Sequence, residues 1–321
     1  MGDKEPIDWP IFDPFKAKRP FVLSALFGRD APLELEIGFG RGDFLVQRAG
    51  ERPDLNILGF EVSSLSVLKA SKRLARAGIR NVRIAKIDAA SALFYFLPAR
   101  SISRTWVLFP EPWPKARHEH RRLLSSGFFK LLSARTVDGG EALVATDWPD
   151  YRDWVISEAV VSGAFELESE TWPVPMTKYH EKWRAKGRAI YPLLFRKRSE
   201  PDVSGLFPAE IEMSQIKMRA PKDLASVVRD FSPVMEKHEC SVLRVMKAYL
   251  SQDGQEALFL CLVSEQGFLQ RFLTSARLVG DTVLVKPHDH THLVITPGVK
   301  RCLEQVARIT GVIEIAPHDI L

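Results

Sequence analysis

The stretch LELEIGFGRGDFLVQRA, residues 33–49, decides the fold class of this chain of 321 residues. Its apolar run, residues 33–37, predicts a buried strand, and the apolar spacing over residues 43–49 predicts a helix. Three glycines separate these two elements: Gly38, Gly40 and Gly42. Glycines between a strand and a helix let the backbone approach a ligand at the helix N-terminus. The stretch therefore predicts a cofactor-binding loop, with a plain tight turn as the alternative.

Strand-like and helix-like segments alternate on the C-terminal side of this loop. Further strands are predicted at 56–62, 82–87, 105–109, 142–146, 165–171 and 189–196, and further helices at 65–77, 127–134 and 151–161. Such alternation is typical of an α/β fold with a mostly parallel sheet, in which ligands bind at the carboxyl ends of the strands. Residues 1–30 are rich in Pro and Phe and predict an irregular N-terminal arm.

The alternation stops at a polar linker, residues 196–205. Strand-like runs then cluster with two helical segments, which predicts a small C-terminal α+β domain. We therefore divide the chain into an arm (1–30), an α/β domain (31–200) and an extension of unknown role (201–321). With 32 basic and 25 acidic residues, positions 1–200 carry a net charge of +7; with 13 and 15, positions 201–321 carry −2. The basic surplus indicates an acidic partner such as nucleic acid for residues 1–200. The net charge of −2 makes residues 201–321 a poor candidate for binding RNA.

Composition excludes several classes of protein. Hydrophobic residues make up 45% and charged residues 26%, as in ordinary globular proteins. Three distant cysteines without a CxxC pair give no zinc knuckle or disulfide framework. The longest apolar run, residues 257–263, is far shorter than the roughly 18 residues that span a bilayer, so we expect a soluble, cytoplasmic protein. His288, His290 and His292 alternate, but a polar turn is favoured over a metal site, and no metal is predicted.

Acidic residues end three successive predicted strands. Glu36 ends the first, Glu61 ends the second, and Asp88-Ala89 follows the third. A carboxylate at position 36 would repel a dinucleotide pyrophosphate, whereas it suits the sulfonium and ammonium groups of S-adenosylmethionine (SAM). Glu61 is placed to hold ribose hydroxyls, and Asp88 to accept from an adenine amino group. The acids therefore favour SAM over NAD as the cofactor.

The fourth strand leads into FPEPWPKARHEHRR, residues 109–122. Its three prolines keep the backbone out of regular structure and stiffen it. The segment offers one carboxylate, Glu111, and one indole, Trp113, beside four cations: Lys115, Arg117, Arg121 and Arg122. These cations can bind phosphates, and the indole can stack on a base. The alternatives are a solvated helix start for the cations and core packing for Trp113.

Two later segments complete the candidate site. Asp147 follows the fifth strand, and TKYHEKW, residues 177–183, lies on a loop before the last strand. Hydroxyl, cation and aromatic side chains on one loop suit the binding of a nucleotide, with an ordinary polar loop as the alternative.

The segments EIGFGRG, FPEPWPKARHEHRR, ATDW and TKYHEKW, in this order and spacing, resemble bacterial tRNA (guanine-N7)-methyltransferases of the TrmB type over roughly residues 30–198. The resemblance implies a Rossmann-like, SAM-dependent methyltransferase fold with a seven-stranded, mostly parallel sheet. It implies methylation of N7 of the guanine at position 46 in the tRNA variable loop. Oligomeric state stays open between monomer and homodimer.

The resemblance also implies roles for individual residues. Glu36, Glu61 and Asp88 match SAM-contacting positions, and Glu111 matches the position that is both catalytic and SAM-contacting. The implied tRNA-binding positions are Lys115, Asp147, Thr177, Lys178, Tyr179 and His180. The family usually has Asp in place of Glu111 and Glu in place of His180. Two other hypotheses stay open: a SAM methyltransferase with another substrate, and a tRNA-binding protein with weak catalysis. An NAD-dependent dehydrogenase is a weaker one, opposed by Glu36.

Overall fold

The computed structural model describes residues 10–175, 180–181, 185–213, 215–220, 223–289 and 291–311. It divides the chain into two compact units, Met1–Val203 and Ser204–Leu321. Thr177, Lys178 and Tyr179 of the predicted substrate loop lie outside the described residues, as does His290.

The first unit is built on a seven-stranded sheet with the order β3-β2-β1-β4-β5-β7-β6. Its strands are β1 (Leu33–Ile37), β2 (Asn56–Glu61), β3 (Val82–Lys86), β4 (Ile102–Leu108), β5 (Thr136–Thr146), β6 (Phe165–Ser169) and β7 (Tyr191–Lys197). Its helices are α1 (Leu23–Phe27), α2 (Asp43–Glu51), α3 (Ser64–Arg76), α4 (Ala89–Tyr95), α5 (Ser126–Arg135) and α6 (Pro149–Ser162), with a 3₁₀ turn at Ala116–Arg121. Strand β7 runs antiparallel to both its neighbours, and the remaining pairs are parallel. The predicted fold class is confirmed.

The strand order places the ligand site. The chain builds β1, β2 and β3 outward in one direction and then returns to place β4 on the other side of β1. In an open α/β sheet, such a reversal opens a crevice at the carboxyl ends of the two central strands. The glycine loop follows β1 and the proline-rich segment follows β4, so both leave the sheet at this crevice.

The N-terminal segment is more ordered than its composition predicted. Phe12 and Phe21 are buried with their ring centroids 5.4 Å apart, and Phe21 lies 5.6 Å from Phe96. Ile11 forms a parallel bridge with Ile84 of β3. The apolar residues of this segment thus cover the β3 edge, and the five residues of α1 are too few to show a helical period in the sequence.

The second unit is a six-stranded antiparallel sheet with the order β8-β13-β12-β11-β10-β9. Its strands are β8 (Ile216–Arg219), β9 (Val234–His238), β10 (Ser241–Leu250), β11 (Glu256–Glu265), β12 (Phe268–Val279) and β13 (Thr282–Pro287). Two helices, α7 (Leu224–Arg229) and α8 (Pro297–Thr310), pack against it. Leu243, Phe259, Phe272 and Leu303 belong to their shared core. The predicted C-terminal α+β architecture is confirmed, although β9 and β13 were not predicted.

None of the helices in the described parts of the chain is long and apolar enough to cross a membrane.

Candidate active site

The glycine loop combines unusual backbone conformation with close packing. Gly38, Gly40 and Gly42 have φ angles of 73°, 53° and 74°, which residues with a Cβ rarely adopt. A Cβ on Gly42 would also lie 2.8 Å from the Cβ of Ala70 in α3. Gly42 therefore lets α2 and α3 approach each other, while Gly38 and Gly40 supply the turn itself.

Glu61 ties the glycine loop to the end of β2. Its Oε2 accepts a hydrogen bond from the Gly40 N–H at 3.0 Å. Its Oε1 accepts from the N–H groups of Val62 and Ser63 at 2.9 and 3.0 Å. The carboxylate is therefore fixed in place beside the loop, where a ribose would have to lie.

Glu36 is the most unusual group of the site. Its side chain is 3% exposed, and its Oε2 has no hydrogen-bond partner among the described residues. Burial raises the pKa of Glu36 well above its ordinary value, and the nearby carboxylates of Glu61 and Asp43 raise it further. A buried, unpaired carboxylate is costly, and a cationic ligand group would offset that cost. Glu36 therefore fits the ammonium group of SAM.

The third acid begins a helix. Asp88 Oδ1 accepts hydrogen bonds from the backbone N–H and the hydroxyl of Ser91, both at 2.9 Å, and so caps α4. Asp88 is exposed, and Ala89 beside it is buried. The cap holds the carboxylate at the end of β3, next to the crevice.

The proline-rich segment is strained, and one buried arginine holds it. Phe109 and Trp113 have φ angles of 56° and 42°, a region that such residues rarely adopt. Arg122 is 9% exposed and donates to the carbonyls of Pro112 at 3.0 Å and Trp113 at 3.4 Å. Its guanidinium also lies 5.1 Å from the ring centre of Trp154. Arg122 was predicted to bind phosphate, but its burial gives it a structural role, because a phosphate could not reach it.

Trp113 lies half-buried at the rim of the site, so it is not a residue of the hydrophobic core. The guanidinium of Arg121 lies 5.0 Å from its ring centre, and the His118 ring meets it edge-on at 5.8 Å. Glu111 is exposed and lines the same cavity as Trp113 and the glycine loop. Lys115 and Arg117 are exposed as well, but they lie outside the cavity described below.

Asp147 follows β5 and is paired with a residue that the sequence did not indicate. Its Oδ2 accepts from Arg188 Nη1 at 2.7 Å, and its side chain is 13% exposed. Arg188 precedes β7, 41 residues further along the chain, and no motif contains it. His180 is half-buried, with its ring centroid 6.5 Å from that of Phe109 and its Nδ1 3.0 Å from the Pro175 carbonyl oxygen.

A single cavity of about 750 Å³ brings most of these residues together. Of the predicted site residues, its lining includes Glu36, Gly38, Gly40, Glu61, Asp88, Ala89, Glu111 and Asp147. It also includes Trp113, Arg121 and Arg188. Gly42, Lys115, Arg117 and His180 are not part of the lining. The acids of the first three strand ends thus share one space with the carboxylate and the indole that follow β4.

The fold and this cavity define a class of protein. A seven-stranded α/β sheet with a glycine loop after β1, a buried carboxylate without a partner and an acid after β2 define a SAM-dependent methyltransferase. The residues present fit the cofactor, because Glu36 offers an uncompensated negative charge where SAM carries positive charge.

Comparison with known proteins gives the family. Residues 30–193 match the family model Methyltransf_4, described as "Putative methyltransferase". The chain is 31% identical over 288 residues to the tRNA (guanine-N(7)-)-methyltransferase of Aquifex aeolicus, covering 86% of this chain and 93% of that protein. It is 35% identical over 298 residues to the enzyme of the same name from Deinococcus radiodurans, covering 86% and 88%. The chain belongs to the tRNA (guanine-N(7)-)-methyltransferase family.

The similarity extends beyond the segments that carry the motifs. The two alignments run over 288 and 298 residues, more than the first unit, Met1–Val203, contains. They therefore continue into the second unit. The protein of the same name from Halorhodospira halophila aligns over 205 residues, which is 61% of this chain and 88% of that protein. The alignments to these three relatives thus cover either most of this chain or a part about as long as its first unit.

Proposed function

We propose that this chain transfers the methyl group of SAM to N7 of the guanine at position 46 in the tRNA variable loop. The observation that carries the proposal is the shared cavity, in which the unpaired Glu36 carboxylate and the exposed Glu111 carboxylate line one space. The names of the relatives support tRNA as the substrate and guanine N7 as the acceptor.

The chemistry needs little from a general base. Guanine N7 has an in-plane lone pair and loses no proton before it attacks. SAM supplies an electrophilic methyl group on a sulfonium. The chain's residues therefore have two tasks, which are to align the acceptor with the methyl group and to stabilise the positive charge that develops on the base.

At the cofactor end, we assign the ammonium group to Glu36, the ribose hydroxyls to Glu61 and the adenine amino group to Asp88. Glu36 has to be ionised for this task, and a bound cation would lower the raised pKa of its carboxyl. Glu61 is already oriented by three backbone N–H groups, so it loses little freedom on binding.

At the acceptor end, we assign the orientation of the guanine to Glu111, which can accept from the N1–H and the exocyclic amino group of the base. Trp113, with Arg121 over its ring, offers a flat surface on which a base can stack. Asp147 shares this end, held in place by Arg188. Lys115 and Arg117 lie exposed outside the cavity, as phosphate-binding side chains would. The substrate role of Thr177, Lys178, Tyr179 and His180 stays a prediction.

The test of this function is methyl transfer from tritiated SAM to unmodified tRNA carrying guanine or adenine at position 46. We expect transfer to the guanine substrate alone. Transfer to both would favour a methyltransferase with another target, and SAM binding without transfer would favour a tRNA-binding protein. These are the two hypotheses that the sequence left open.

The role of Glu111 is tested in the same assay. We expect Glu111→Gln to lower the rate about 10²-fold or more, because the amide offers one acceptor where the guanine edge needs two. Glu111→Asp, which restores the residue usual in the family, should retain activity. A wild-type rate for Glu111→Gln would exclude the role. Because the proposed substrate is tRNA, we infer that the protein acts in the cytoplasm.

A further inference from the structure

The sheet of the second unit has two faces of different character. Its inner face carries the core, with Leu243, Phe259, Cys261 and Phe272 buried beneath α7 and α8. Because side chains alternate along a strand, the residues between them point to the other side. We call that side the outer face of the β8–β13 sheet.

The strand register collects positive charge on the outer face. Of the 13 lysines and arginines in residues 204–321, eight alternate with the core residues and lie on this side. They are Lys217, Arg219, Lys237, Arg244, Lys247, Arg271, Arg277 and Lys286. Glu256, which pairs in register with Arg277, is the acid that the described strands place there.

The centre of this face is cationic without compensating acids. Arg244 pairs with Leu262, which pairs with Arg271, so two arginines flank one leucine across three strands. Lys247 lies in the next row, paired with Leu260. The three cations are exposed, and within the described residues none of them forms an ion pair. Strands lie about 4.8 Å apart, so the two arginines stand roughly 10 Å from each other, with their stems along the half-buried leucines.

Two further acids of the strands lie on the inner face, so the net charge of −2 for residues 201–321 does not describe the outer face. Glu265 is buried on the inner face, where it accepts from the Gly298 N–H at 2.9 Å and meets Arg301 at 3.4 Å. Glu236 pairs in register with Leu243, on the inner side as well. The expectation that residues 201–321 bind RNA poorly rested on a sum over both faces, and the register shows that the two differ in charge.

We propose that the outer face of the β8–β13 sheet binds the phosphate backbone of the RNA substrate. The proposal rests on the proposed function, which makes tRNA the substrate. Charge complementarity selects the partner, because a polyanion can engage several unpaired cations at once and release counterions. The described strands place one aromatic ring on this face, that of Tyr249, so the face suits phosphates rather than a row of stacked bases.

The test removes three central cations together, as Arg244→Gln, Lys247→Gln and Arg271→Gln in one full-length chain. The matched control removes three cations from the helices of the same unit, as Arg229→Gln, Lys300→Gln and Arg308→Gln. Both variants lose the same net charge, so a difference between them reports position. Filter binding of unmodified tRNA without SAM, over a series of KCl concentrations, measures affinity and its salt dependence.

We expect the outer-face variant to bind tRNA about 10-fold more weakly at 0.1 M KCl, and the slope of log K against log salt to fall by about two to three. Its melting temperature should equal that of wild type, since the three side chains are exposed. In methylation assays, KM for tRNA should rise while kcat stays unchanged. The helix variant should resemble wild type in every measurement.

Two results would overturn the proposal. One is equal tRNA affinity and equal salt slope for the two variants. The other is a change in oligomeric state confined to the outer-face variant, which would make the face a contact between copies of this chain. If the proposed function is wrong, wild type should bind tRNA without methylating it. In that case, loss of tRNA binding in the outer-face variant would still support the outer face as a tRNA-binding surface.

Discussion

Two glutamates on β1 stand two residues apart on the same buried strand, and they have opposite surroundings. Glu34 and Glu36 are each 3% exposed. The Glu34 carboxylate accepts from Arg48 at 2.9 and 2.6 Å and from Trp106 Nε1 at 2.8 Å. Glu36 Oε2 has no partner among the described residues. A buried carboxylate that is satisfied from within the chain stabilises the fold, whereas one left unsatisfied costs stability and marks a ligand site.

The largest expected effect concerns the affinity for SAM. Glu36→Gln removes the charge that we assign to the cofactor ammonium, so we expect SAM to bind about 10²-fold or more weakly, as for loss of one member of a buried ion pair. Glu34→Gln is the matched control, since it makes the same exchange two residues away and should keep SAM affinity within a few-fold of wild type. Isothermal titration calorimetry measures both. Equal losses of SAM affinity in the two variants would contradict the assignment of Glu36, rather than Glu34, to the cofactor.

The same two variants should differ in their free energy of unfolding when SAM is absent. Glu34→Gln leaves Arg48 without its carboxylate partner, and we expect a loss of about 2–4 kcal/mol. Glu36→Gln removes a carboxylate whose pKa burial raises, so the variant should be as stable as wild type or more so. Urea unfolding at neutral pH measures both changes. A strongly destabilised Glu36→Gln would show that this residue also supports the fold.

The difference in stability between Glu36→Gln and wild type should depend on pH, because the pKa of Glu36 is raised in the folded state. The folded state holds the Glu36 proton more tightly than the unfolded state does, so stability falls as pH rises from about 4.3, the ordinary value for glutamate, to the raised pKa of Glu36. Each unit by which the pKa is raised corresponds to about 1.4 kcal/mol. The stability advantage of Glu36→Gln over wild type should therefore be absent at low pH and grow across that window. A difference independent of pH would contradict this origin.

The contrast between the two glutamates also marks how far the sequence could predict the site. Glu36 was predicted because it ends a strand beside a glycine loop, which is local information. The role of Glu34 depends on Arg48, 14 residues away, and Trp106, 72 residues away, so nothing in LELEI separates the two acids. Arg188 escaped prediction for the same reason, since it meets Asp147 across 41 residues.

The second unit shows the same limit at the scale of a surface. Most of its strands were predicted from strand-like runs of residues, but the short β9 and β13 were not. Its net charge of −2 led to the expectation of weak RNA binding. Only the strand register, which sorts side chains between two faces, shows that eight cations share the outer one. A net charge summed along the chain does not show that the cations lie on one face of the sheet.

The smallest expected effect concerns Asp147, which combines features of both glutamates. Its carboxylate is paired, like that of Glu34, yet it lines the cavity with Glu36. Arg188 is 45% exposed in its side chain, so its ion pair with Asp147 adds little stability, and Arg188→Gln should leave the melting temperature unchanged. If the arginine positions Asp147 for the guanine, KM for tRNA should rise about 3- to 10-fold while SAM affinity stays constant. Arg188→Lys, which keeps the charge without the planar fork, should recover part of the loss. Steady-state kinetics with tRNA varied at saturating SAM measures KM for tRNA. An unchanged KM would show that Asp147, like Glu34, is paired within the fold and does not contact the substrate.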